Sequence, residues 1–214
     1  MSDNKRAYPA TLSVGYPDRG LNRLTSFFRI IVTIPIGILL CLVSGAAWES
    51  GKGHQCLVTL SAGGVLFLAV VLMLVFRQKY PRWWFDWNIA LTKFSTRVGA
   101  YLALLRDEYP STDEDQAVHI EIPYPDAKTG LNRWLPLVKW LLAIPHYIVL
   151  FFLVIAAFFV VIVAWFAILF TGRYPKGMFE FVVGVMRWSL RVSAYAALLT
   201  TDEYPPFTLS EQVR

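Results

Sequence analysis

Three histidines, two cysteines and two acidic pairs are the residues of this 214-residue sequence whose types could carry chemistry. His54, His119 and His146 stand apart, with none of the spacing to cysteine or carboxylate that a metal site needs. His146 is the most informative of them. It follows Ile144-Pro145 inside a long apolar run, and a polar group at membrane depth is costly and often functional. It is therefore a candidate polar intramembrane site, with a hydrogen-bonded interfacial imidazole as the rival role. Asp107-Glu108 and Asp202-Glu203 each precede Tyr-Pro where a helix should end. We expect them to pair with Arg97, Arg106 or Arg191 rather than to perform acid–base work. Asp113-Glu114-Asp115 reads as a solvated linker. There is no phosphate-binding glycine loop, dinucleotide fingerprint or glycine-flanked serine. No catalytic, cofactor-binding or metal-ligating residue is assigned, and the expectation is a non-enzyme. Cys41 reads as a small hydrophobe within an apolar run and Cys56 sits at the edge of the next, so no disulfide framework is expected.

The cations that remain are ordered. Apolar residues recur in steps of three and four at Trp84, Trp87, Leu91, Phe94, Val98, Tyr101 and Leu105. They recur again at Met178, Phe181, Val185, Trp188, Val192, Tyr195 and Leu199. This spacing predicts amphipathic helices over about 83–105 and 178–199. The opposite face repeats as well: Asp86 with Glu180, Lys93 with Arg187, Arg97 with Arg191. A helix with aromatics on one side and cations on the other suits a membrane surface. Lys93, Arg97, Arg187 and Arg191 are thus candidate contacts for anionic lipid headgroups or a partner protein. The rival is that each stripe packs on its own bundle and the cations face water. Trp83, Trp84 and Trp87 with Tyr80 are expected at headgroup level, where aromatic rings concentrate.

These helices must be held by something, and composition says what. Hydrophobic residues make up 56% of the chain and charged ones 16%, against about 45–50% and 25% in soluble domains. Ile30–Trp48, Leu57–Phe76 and Trp140–Gly172 carry no charge at all. About 20 apolar helical residues cross a hydrocarbon core of ~30 Å, so these runs read as membrane-embedded. The polar start of the chain lacks the apolar stretch of a cleavable signal, so the first span is expected to serve as its own insertion signal. The net charge of +5 speaks to orientation and anionic lipid, not to nucleic acid.

An internal repeat organises the runs. Gly20-Leu21-Asn22-Arg23 returns as Gly130-Leu131-Asn132-Arg133, Arg29 as Lys139, and Ile34-Pro35 as Ile144-Pro145. Tyr80-Pro81 returns as Tyr174-Pro175, and Asp107-Glu108-Tyr109-Pro110 as Asp202-Glu203-Tyr204-Pro205. Unit one spans about 8–107 and unit two about 109–202, followed by a tail over 203–214. Each unit reads as a short strand, an Asn N-cap, a helical hairpin (about 22–76 and 132–171) bent at Pro35 or Pro145, and the amphipathic helix. The strands alternate: Leu12 and Val14 inward, then Val118, Ile120 and Ile122 inward with His119 and Glu121 facing away. Only unit one has the polar exterior loop Trp48–Gln55. The second hairpin has a rival, a single tilted helix with 134–147 lying in the interface, because no Gly, Pro or Asn marks a turn near Val154. The repeated Tyr-Pro pairs read as boundaries between elements.

Arg19, Arg23 and Arg29 precede the first hairpin, and Arg77, Lys79 and Arg82 follow it. Lys128, Arg133 and Lys139 precede the second, and Arg173 and Lys176 follow it. By the positive-inside rule both ends of each hairpin are cytoplasmic. The fold class is therefore an all-α membrane protein of two tandem repeats, each a transmembrane or re-entrant hairpin plus an amphipathic interfacial helix. Short β-strands meet on the cytoplasmic side.

Gly-Leu-Asn-Arg, the Ile-Pro-His of Ile144–His146, the segment Ala164–Pro175 and Asp202–Phe207 together resemble a bacterial integral-membrane family described as a domain of unknown function. The resemblance implies a multi-pass protein of the bacterial inner membrane and transfers no activity; the positive-inside rule adds the expectation of cytoplasmic termini. Unit one departs from it, with Ile36 in place of the histidine. The expected role is a scaffold or accessory subunit of a membrane assembly, contacting anionic lipid and either other membrane proteins or further copies of itself. The alternative is a small transporter or lipid-handling protein with a site between the two units.

Overall fold

The computed structural model describes residues 8–17, 20–44, 62–111, 116–127 and 130–211. Arg19, the exterior loop with Glu49, Lys52 and His54, Cys56, the acidic linker and Lys128 lie outside the described residues. In chain order the elements are β1 (Thr11–Val14), α1 (Arg23–Ser44), α2 (Ala62–Arg77), α3 (Arg82–Leu102), β2 (Val118–Glu121), α4 (Leu135–Leu142), α5 (Ile144–Thr171) and α6 (Lys176–Ala196). The chain is mostly helical, with only two short strands among the described residues. The strands pair antiparallel with Leu12 opposite Ile120 and Val14 opposite Val118. Val118 and Ile120 turn inward while His119 and Glu121 stay exposed, as the alternation requires.

The helices carry the expected punctuation. Asn22 Oδ1 accepts the N–H of Leu24, and Asn132 Oδ1 accepts that of Trp134, so both asparagines occupy orphan donors where a helix begins. In α1 the arms Arg23–Arg29 and Ile31–Leu40 meet at 51°, beside the carbonyl that the Pro35 ring crowds one turn earlier. Gly172, with φ at +72°, ends α5 in the left-handed region and donates its N–H to Ile168 O at 2.7 Å.

The second apolar stretch does not fold as a hairpin. After the short α4 and a single turn residue, Ala143, α5 runs unbroken for 28 residues. A reversal near Val154 would have left backbone groups unpaired among apolar side chains, whereas a continuous helix satisfies them all. Among the described residues Leu135–Thr171 is the one stretch long and apolar enough to cross a membrane, or one of two if the bent α1 counts as a span.

Helix α6 lies antiparallel against α5 along almost its whole length. Lys139 meets the Tyr195 ring, His146 meets Trp188, and Ile168 shares a core with Phe179. On α4–α5 the contact follows Lys139, Ala143, His146, Leu150, Leu153, Ala157, Ala164 and Ile168, the three–four stripe of one helix face. On its other side α6 packs against β1 and the C-terminal tail. Helix α6 is therefore an interior element rather than one lying free at the interface. Its apolar stripe is buried from Val185 to Tyr195, and its second, cationic face is covered too.

Candidate functional site

Two caged cations sit where the apolar helices start. In the first, Arg29 is almost fully buried. Its guanidinium donates to the Tyr101 and Arg106 carbonyls at 3.0 and 2.9 Å, pairs with the Asp107 carboxylate, and lies 4.4 Å from the centre of the Tyr101 ring. In the second, Lys139 is fully buried. Its ammonium donates to Thr201 O at 2.8 Å, pairs with Asp202 at 2.6 Å, and lies 5.2 Å from the Tyr195 ring centre. Both carboxylates also accept a backbone N–H, Asp107 from Asn22 and Asp202 from Asn132. Leu104 and Leu199, with φ at +62° and +57°, make the tight turns after α3 and α6 that swing these acids back. A lone cation in an apolar run must be paired and hydrogen-bonded to be tolerated there, and each cage supplies both.

For the two aspartates the expected partners are thereby corrected, whereas Glu108 does face an expected one, Arg106. Asp107 binds Arg29 and Asp202 binds Lys139, while Arg106 faces Glu108 at 3.9 Å. The missed signal was in the sequence: Arg29 and Lys139 hold equivalent places at the start of the two apolar runs, and each needed a carboxylate.

Further staples cross between the halves. Arg23 donates to Phe170 O at the end of α5, and Arg133 donates to Val75 O and Phe76 O at the end of α2. Each arginine thus satisfies helix-terminal carbonyls of the other half. Tyr16 hydroxyl donates to Tyr174 O, and Tyr124 hydroxyl to Tyr80 O at 2.6 Å. Tyr8 donates to Glu203 O at 3.1 Å, and Tyr204 to Leu142 O at 3.2 Å. The Tyr-Pro tyrosines Tyr8, Tyr16, Tyr124 and Tyr204 are therefore clamps as well as boundaries. Burial pushes the phenols of Tyr8, Tyr80 and Tyr174 above their usual range, and Glu203 adds to the effect on Tyr8.

His146 is fully buried in an aromatic box. Its ring stacks on Phe207 at 4.0 Å, lies 4.7 Å from Tyr204, and meets Trp188 edge-on at 5.8 Å. Its Nδ1 accepts the Trp188 indole N–H at 3.1 Å, so the neutral ring carries its proton on Nε2. Nε2 is buried and has no hydrogen-bond partner among the described residues. Tyr204 and Phe207 belong to the tail, so the imidazole is a fixed point on which the tail folds over α6.

The four cations expected at the surface divide. Lys93 is exposed, and Arg97 is partly buried and donates to Ser111 O at 2.7 Å. Arg187 donates to Leu12 O and Leu209 O, and its guanidinium reaches Glu211 at 3.5 Å. Arg191 donates to Thr208 O and Ser210 O. Burial pushes the Arg191 guanidinium down, and Arg187 beside it adds to the effect. These two arginines clamp the tail and β1 onto α6, and their interior position removes them from headgroup contact. Lys93 is the one of the four left free to meet a surface.

A cleft of about 400 Å³ opens between α3, α5 and α6. Thr92, Ser95, Thr96, Ser189 and Ser193 give it hydroxyls, and Val154, Val185 and Leu198 give it apolar wall. Among the described residues His, Cys, Asp and Glu form no group of three or more that could hold a metal ion.

Residues 134–208 match the model of DUF4389, a domain of unknown function. The match takes in α4, α5, α6, the Lys139 cage and the aromatic box around His146. No curated protein and no solved structure matches the chain.

Proposed function

We propose that this chain is a non-enzymatic, multi-pass protein of the bacterial inner membrane, with cytoplasmic termini, that serves as a scaffold or accessory subunit of a membrane assembly. One observation carries the reading. The most apolar window of Leu135–Thr171 has a mean hydropathy of 3.2, yet only 11% of it is buried within the chain. A soluble core helix of that composition is covered by its own protein, so this surface is left for lipid or for partner helices. The polar groups fit the same picture. Arg29, Lys139, Arg187 and Arg191 hold elements together, which is the work of a rigid frame rather than of a reacting centre.

The paired cages, the exchanged arginine caps and the strand register at Leu12 and Ile120 support reading the chain as two related units. Purification in mild detergent with crosslinking tests the proposal. It requires recovery with other membrane proteins or as an oligomer, and consistent recovery as a lone monomer would remove it.

The cleft between α3, α5 and α6 favours a second reading, a lipid-handling or transport role with the site between the units. Ser95→Leu and Ser189→Leu would fill the cleft. On that reading both variants lose a co-purifying lipid or solute that the native protein retains.

A further inference from the structure

We propose that α5 lies lengthwise within one leaflet of the bilayer instead of crossing it. The inference rests on the membrane reading above and adds the orientation of its most apolar element. Four observations lead to it.

The first is the company α5 keeps. Helix α6 runs antiparallel beside it from Lys139–Tyr195 at one end to Ile168–Phe179 at the other. Directly behind α6 lie β1 and the tail, with Arg187, Arg191 and Glu211. If α5 stood across the membrane, this polar layer would be drawn through the hydrocarbon with it, and the loop backbone and charged groups at its surface would lose their water. Laid parallel to the surface, α5 buries its outer face in lipid while α6, β1 and the tail remain on the aqueous side.

The second is that both ends of the α4–α5 stretch are tied to segments outside the apolar runs, the loop after α6 at one end and the start of α1 at the other. Lys139 joins Asp202 at one end, while Leu21 N–H donates to Gly172 O and Arg23 to Phe170 O at the other. The third is charge: exposed Arg133 lies before α4, and exposed Arg173 and Lys176 follow α5. Basic flanks at both ends of an apolar stretch place both ends on the cytoplasmic side, facing anionic headgroups. A single crossing would separate them. The fourth is length: 28 residues of α5 extend about 42 Å and the uncharged Trp140–Gly172 about 50 Å, against a core of ~30 Å. Holding all of α5 inside the core while crossing it would take a tilt of about 44°, just past the usual range of about 0–40°.

The test uses full-length protein in the membrane, in a Cys41→Ser, Cys56→Ser background, with Trp134→Cys or Arg173→Cys at the two ends. A membrane-impermeant maleimide is applied to right-side-out and inside-out vesicles. Both cysteines reacting in the same vesicle orientation is the expected result, and reaction from opposite sides overturns the proposal while leaving membrane residence intact. Nitroxide labels at Ile148→Cys, Phe159→Cys and Phe166→Cys supply a second reading that does not depend on the end positions. Equal depth at all three is expected, and a profile deepest at residue 159 overturns it. Labels shielded from lipid and crosslinked between protomers would show that a second copy covers this face, which also overturns it. Recovery of the native protein in the supernatant after lysis without detergent would instead sink the membrane reading itself.

Discussion

At the scale of single residues, the buried cations Arg29 and Lys139 close α1 and α4 onto the loops that follow α3 and α6. Lys139 is fully buried and Asp202 partly exposed, so the pair is asymmetric: removing the acid strands a desolvated ammonium. Asp202→Asn is expected to destabilise the protein by about 3–5 kcal/mol, the cost of breaking a buried pair from one side. Lys139→Met combined with Asp202→Asn should recover most of that loss, because the uncompensated charge is then gone. Thermal unfolding in detergent reads both variants, and equal destabilisation by the single and double changes would mean that the pair is held by packing alone. Tyr8 yields a pH prediction. Its folded-state pKa is raised, so the folded chain holds the phenolic proton more tightly than the unfolded chain, whose value is about 10. That contribution to stability is complete below about pH 10 and is lost as the pH climbs toward the raised value. Unfolding midpoints followed with tyrosinate absorbance should fall in that window, and Tyr8→Phe should flatten the fall.

At the scale of elements, the tail and α6 meet so closely that one methyl group decides whether they can. A Cβ on Gly184 would stand 2.8 Å from Leu209 Cβ and 3.0 Å from Leu209 O. Alanine improves helix propensity by about 1 kcal/mol, but overpacking against backbone costs about 1–3 kcal/mol, so Gly184→Ala should be destabilising overall. The tail beyond Thr208 should then become cleavable by protease under conditions that spare the native protein. The positions of the helices α3 and α6, the two strands and the capping asparagines were legible in the sequence because they rest on local periodicity and on side chains that bond within two or three residues. Which face of α6 would be covered was not legible. Arg187 and Arg191 have the spacing of a solvated face, and only the folding of β1 and the tail onto them turns that face inward. The hairpin failed for a related reason. The repeat argued for two arms in the second unit, but the local sequence around Val154 contains no residue that stops a helix, and the local preference prevailed. The aromatic box was half legible: His146 stood out, while Trp188 and Phe207, 42 and 61 positions on, carried no pairing signal.

At the scale of the whole molecule, the exposed face of α5 decides how the protein sits, and position along the helix can be separated from position around it. Ile148, Phe152, Ile155, Phe159, Phe166 and Phe170 form the ridge opposite the stripe that packs on α6, and all are exposed. Phe151 and Phe158 are equally exposed but lie on the flank, nearer α6. If α5 crossed the bilayer, lysine would be worst near its middle, at about 2.5–3.5 kcal/mol, whether at Phe158 or Phe159, and tolerated toward Ile148 and Phe166. With α5 lying in one leaflet, the whole ridge is equally deep, and a flank lysine extends its ammonium back to the headgroups. Phe159→Lys, Ile148→Lys and Phe166→Lys should then weaken membrane retention alike, whereas Phe151→Lys and Phe158→Lys should leave it nearly unchanged. Carbonate extraction of membranes carrying each variant reads the pattern directly. A loss that follows distance from the helix centre, with Phe158→Lys as damaging as Phe159→Lys, would restore the crossing. A loss that repeats with the turn of the helix places α5 flat beneath the headgroups, with α6, the sheet and the tail resting on it in the cytoplasm.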